Sequence, residues 1–93
     1  MLYVYLLIDP RDGRPRYVGQ TENPARRLEQ HRRGEAMRTR AWSRVLRELG
    51  VSPIMRIVAE VRDRKASRQL ERRWIFACRY NHGPLLNQQI LGT

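Results

Sequence analysis

At 93 residues and 41% apolar content the chain is sized for one small domain, residues 1–93, with one modest core. Its single cysteine, Cys78, excludes an intramolecular disulfide and a cysteine-built zinc site. A formal net charge of +10 points to a polyanionic partner, with nucleic acid ahead of an anionic membrane surface. Lys65 is the only lysine, so arginine carries nearly all of this charge, and arginine suits bidentate phosphate contacts.

Residues 2–8 are aromatic, aliphatic and β-branched and predict a strand. Tyr3, Tyr5 and Leu7 face one way, and Leu2, Val4, Leu6 and Ile8 the other, so a central strand covered on both faces is expected. Asp9-Pro10-Arg11-Asp12-Gly13 is a turn cluster, with Asp12-Gly13 the strongest hairpin signal. Residues 16–20 predict the partner strand, in a register that the turn length leaves open.

Asn23-Pro24 is a helix start, with Asn as cap and Pro in the first helical position, and the helix should stop at Gly34. Arg27 and His31, four apart, share its face. A second helix is expected over residues 40–49, with Ala41, Trp42, Val45, Leu46 and Leu49 as its apolar stripe. Residues 53–61 predict a third strand, and Asp63 opens a last helix that ends at His82-Gly83-Pro84. The order β-β-α-α-β-α describes an α+β domain on a small, largely antiparallel sheet. The apolar start is too short for a signal peptide and lacks a basic region before it. No stretch approaches membrane-spanning length, so a cytoplasmic or otherwise intracellular protein is expected.

Within the last helix, Ser67, Leu70, Trp74, Ile75 and Cys78 line one face, and Glu71 falls at its centre. A carboxylate on such a face is costly unless it is paired, hydrogen-bonded or bound to a metal. Taken singly, Glu71 reads as half of a structural ion pair and the strand tyrosines as packing residues. Arg27 and His31 read as solvated, and Asn87 as a turn residue. Together they suit phosphodiester cleavage. One carboxylate can hold a divalent cation, an arginine can bind the phosphoryl oxygens, and a tyrosine can relay a proton if nearby cations lower its pKa. The lone well-placed acid argues against a two-metal site.

Tyr3-Val4-Tyr5, then Tyr17-Val18-Gly19-Gln20-Thr21, then Arg27 and His31, resemble the GIY-YIG nuclease domain, and Glu71 and Leu85-Leu86-Asn87 resemble its distal motifs. The resemblance covers essentially the whole chain in order. It implies a three-stranded antiparallel sheet flanked by helices, and metal-dependent cleavage of DNA. By this resemblance Tyr5 is the proton acceptor for the attacking water, and Tyr17 a hydrogen-bonding partner of water or phosphate. Arg27 contacts the scissile phosphate, and Glu71 is the one ligand of Mg2+ or Mn2+. Asn87 braces the site, and His31 completes the set. Gly19 should let a backbone or phosphate approach. DNA contacts are expected from Gly19, Gln20, Thr21, Arg26, Arg27 and Arg32. Two departures from the named motif, Tyr3 for glycine and Val18 for isoleucine, touch no proposed catalytic group. A third, Gln20-Thr21 where some members carry a lysine, leaves activation of the base open.

A DNA endonuclease is thus the leading expectation. The alternatives are a nucleic-acid-binding module of the same fold with little activity alone, and a catalytic subunit that takes substrate choice from a partner protein. With 93 residues there is no room for a second DNA-reading domain of about 50 residues or more, so weak sequence preference or recognition of branched or flapped DNA is expected.

Overall fold

A computed structural model describes residues 1–87. Its elements are β1 (Leu2–Ile8), β2 (Pro15–Thr21), α1 (Pro24–Arg33), a 3-10 turn (Met37–Thr39), α2 (Arg40–Glu48), β3 (Ile54–Val61) and α3 (Arg64–His82). The strands form one antiparallel sheet in the order β2-β1-β3, so β1 is central, as its two apolar faces require. Val4, Leu6 and Ile8 bury one face with Val18 and with Ile75 and Cys78 of α3. Tyr5 and Leu7 bury the other with Trp42 and Leu46 of α2.

The β1–β2 turn sets the register that the sequence left open. Gly13 takes a left-handed φ of 74°, and its N–H donates to the Asp9 carbonyl at 2.8 Å. Tyr5 then lies opposite Gly19 and Leu7 opposite Tyr17. The helix starts follow the sequence signals. The Asn23 side chain accepts from the Arg26 N–H at 3.1 Å, and Gly34 ends α1 at φ 76°. The Asp63 side chain accepts from the Lys65 N–H at the start of α3.

The α2 stripe is narrower than its sequence suggests. Trp42, Ser43 and Leu46 are buried, but Ala41, Val45 and Leu49 are exposed. A sheet of three strands offers a nine-residue helix too little surface to cover a wider stripe. The segment after α3 runs beside β2, where the Leu86 N–H donates to the Arg16 carbonyl at 2.7 Å. The tail beyond Asn87 lies outside the described residues. Among the described residues no helix is long and apolar enough to cross a membrane.

Asp9, at the end of β1, is a buried carboxylate that ties the turn to α2. It accepts from Arg11 Nε and Nη2 at 2.9 and 2.7 Å, and from Trp42 Nε1 at 3.1 Å. The Arg11 hydrogen bonds, with help from Trp42, hold its carboxyl well below the usual carboxylate range, against the opposing effect of burial. A depressed folded-state pKa gives stability that is present at neutral pH. That stability is lost as pH falls below the ordinary value of 3.8 toward the folded-state one. Asp9→Asn keeps the shape but removes the charge, so it should cost roughly 1.5–3 kcal/mol at neutral pH. In urea melts this appears as a lower midpoint with an unchanged slope, and the gap to wild type should close in strong acid.

Candidate active site

The candidate site lies on the sheet face that α1 and α2 cover. β1 supplies Tyr5, β2 supplies Tyr17, and α1 supplies His31, with ring centroids 5.4–6.3 Å apart. The Tyr5 hydroxyl is 2.8 Å from His31 Nε2, and His31 Nδ1 is 2.7 Å from the Thr39 hydroxyl. The direction of this chain of hydrogen bonds turns on the Thr39 hydroxyl. The Thr39 hydroxyl faces the Ala36 carbonyl at 3.5 Å, and a carbonyl only accepts. With its proton on that carbonyl, Thr39 accepts from Nδ1–H, and Nε2 is then the bare nitrogen to which the Tyr5 hydroxyl donates. The reversed chain, with Thr39 donating to Nδ1 and Nε2–H to Tyr5, has the same heavy-atom geometry.

The electrostatics explain why this histidine is neutral. Burial, and secondarily the charge of Arg27, lower its pKa to about 4. Both tyrosine hydroxyls are pushed upward. For Tyr5 the causes are burial, then Tyr17, with a smaller opposing effect from Arg27. For Tyr17 they are burial and then Glu71, opposed by Arg27 and Arg38. The arginines alone do not meet the condition that nearby cations lower a tyrosine pKa, because desolvation of the phenolate outweighs the guanidinium field.

Glu71 is half-buried, and burial raises its pKa against the charges of Arg68 and Arg72. It makes neither an ion pair nor a side-chain hydrogen bond among the described residues, so the structural ion-pair reading does not hold. It also stands alone, because no three His, Cys, Asp or Glu among the described residues converge. A desolvated, unpartnered carboxylate fits one divalent cation whose other ligands come from water and phosphate.

Gly19 and Asn87 shape the site through packing and backbone contacts. A Cβ on Gly19 would sit 2.5 Å from Tyr5 Oη and 2.6 Å from its Cζ, so the missing side chain makes room for the Tyr5 ring. Gly19→Ala should therefore displace the hydroxyl from His31. Single-turnover cleavage should fall by roughly 10²-fold with the far-ultraviolet dichroism retained. The Asn87 side chain is fully buried, accepts from the Val18 N–H at 2.9 Å and donates to the Val18 carbonyl at 2.6 Å. It pins the backbone between Tyr17 and Gly19.

The expected DNA-contacting residues divide. Gln20, Thr21, Arg26 and Arg27 line one cavity of about 380 Å³ beside the site. Gln20 is also tied to α3, where it accepts from the Ser67 hydroxyl. The Thr21 hydroxyl is spent locally on the Asn23 backbone. Arg32 does not line this cavity and pairs with Glu29 at 3.6 Å. Thr39 and Arg38 were missed in the sequence, since both fall in the link between helices with no motif around them.

The fold thus brings a tyrosine pair and a buried histidine together in a small α+β domain, within the fields of Arg27 and Glu71. A family model described as the GIY-YIG catalytic domain matches residues 1–81, and the chain belongs to that family, a family of nucleases. Comparison with curated proteins and with solved structures gave no match.

Proposed function

We propose that the chain is a DNA endonuclease that hydrolyses phosphodiester bonds with one divalent cation, Mg2+ or Mn2+, at Glu71. The observation that carries this reading is the Tyr5 hydroxyl bonded to a neutral, buried His31 in the fields of Arg27 and Glu71. Tyr5 takes a proton from the attacking water as it gives its own to His31 Nε2. It stays neutral throughout, so its raised pKa is no obstacle. Thr39 holds the histidine in the accepting tautomer. Arg27 stabilises the charge that builds on the phosphoryl oxygens. Tyr17 orients water or phosphate beside it. The cation supplies further positive charge at the phosphate.

Cleavage of a panel of linear duplex, single-stranded, flapped and branched DNA, with Mg2+ or Mn2+, tests the reading. A product that appears only with metal supports it, and a panel left intact with both metals refutes it. One observation favours a catalytic subunit that takes its substrate choice from a partner protein. Phe76 and Tyr80 stack on the outer face of α3 while 69% and 82% exposed. On that reading the panel is cut with little discrimination.

A further inference from the structure

The cavity beside the site holds more positive charge than the motif residues account for. Arg26 and Arg27 enter it from the first turns of α1, and Arg64, the first residue of α3, enters it as well, with Gln20 and Gln30 between them. None of the three arginines is in an ion pair among the described residues. Glu22, the one acid in the lining, pairs with none of them.

Helix stability does not explain this placement. The amino-terminal end of a helix favours negative charge, yet neither α1 nor α3 has an acidic residue in its first turn, and only α3 has an acidic cap, Asp63. Three guanidinium groups around one cavity repel one another and oppose the helix dipoles, and an anion placed among them relieves both costs. Their forked donors match phosphate oxygens. Arg27 lines the cavity and its charge also acts on Tyr5, Tyr17 and His31, so an anion held here lies beside the candidate site.

Given the DNA endonuclease reading above, on which this rests, we infer that the cavity is a second phosphate subsite. It holds an internal phosphodiester of the same strand, adjacent to the one cleaved, with Arg64 as its outer clamp. Arg64 lies outside the family's motif residues, and its role is to bind and position the strand.

The test is the salt dependence of binding to a duplex that lacks terminal phosphates, measured by fluorescence anisotropy without divalent metal. Arg64→Ala should weaken binding and reduce the magnitude of the log–log salt slope by about 0.9, the share of one phosphate contact on duplex DNA. Arg64→Lys should keep the slope. Arg56→Ala, on β3 at the opposite edge of the sheet from β2, should leave the slope as in wild type. The melting temperature of Arg64→Ala should be unchanged or higher, whereas a structural arginine would lower it. An Arg64→Ala slope equal to that of wild type, or an equal drop for Arg56→Ala, overturns the subsite. Cleavage assayed separately keeps the two readings apart. An Arg64-dependent slope without cleavage removes the nuclease reading and leaves the cavity as a phosphate subsite of a DNA-binding module. Cleavage with a slope indifferent to Arg64 does the reverse.

Discussion

Glu71→Gln is expected to cut single-turnover cleavage by roughly 10²–10⁴-fold, the loss of several kcal/mol of charge stabilisation at the phosphate. DNA binding without metal should hardly change. The direction of the stability effect separates this role from a structural one. Burial raises the Glu71 pKa, so the charged form is disfavoured by folding at neutral pH, and no ion pair offsets that cost among the described residues. Glutamine removes the charge and keeps the shape, so the urea midpoint should stay the same or rise. Adding Mg2+ or Mn2+ should raise the melting temperature of the wild type and leave that of Glu71→Gln in place. Cleavage at the wild-type rate by Glu71→Gln, or equal stabilisation of both proteins by metal, would show that the carboxylate is not the cation's ligand.

Tyr5→Phe should have the second large effect, a loss on the order of 10²–10⁴-fold, since it removes the hydroxyl that passes the proton. The pH profile identifies the final acceptor. With His31 in that role, the wild-type rate should rise as the imidazole loses its proton through about pH 4 and then stay level, because only the neutral ring accepts. A tyrosinate base would instead keep the rate climbing into the alkaline range. Folding must be followed at each pH. A histidine whose folded-state pKa lies below its ordinary 6.5 makes the native state less stable as pH falls from 6.5 toward 4. Arg27→Ala should lower the whole curve by roughly 10²–10³-fold. The acid limb should remain, shifted slightly upward, because the Arg27 charge contributes to the depressed His31 pKa. A Tyr5→Phe protein with the wild-type rate and profile would reduce Tyr5 to a packing residue of β1.

Much of the fold was legible in the sequence because its signals are local. The Asn23-Pro24 start, the Gly34 stop and the Asp63 cap each act within a few residues of themselves, and the structure uses all three. The two apolar faces of residues 2–8 required a central strand, and β1 is central. The misplacement of Glu71 on an apolar stripe was also local, visible from the helical period alone. The motif resemblance located Tyr5, Tyr17, Arg27 and His31, but it carried no information on which group gives a proton to which.

That information is tertiary. The Tyr5–His31 bond joins residues 26 apart, the Gln20–Ser67 bond residues 47 apart, and the Asn87 brace residues 69 apart. A pKa is a sum over everything packed around a group, so no window of sequence can return its sign. In sequence the tyrosines stand among arginines, which left a lowered pKa open. In the folded chain they are desolvated, and the loss of water outweighs the charges. The arginine cavity has the same origin, for Arg26 and Arg64 lie in different helices and line one cavity only in the folded chain.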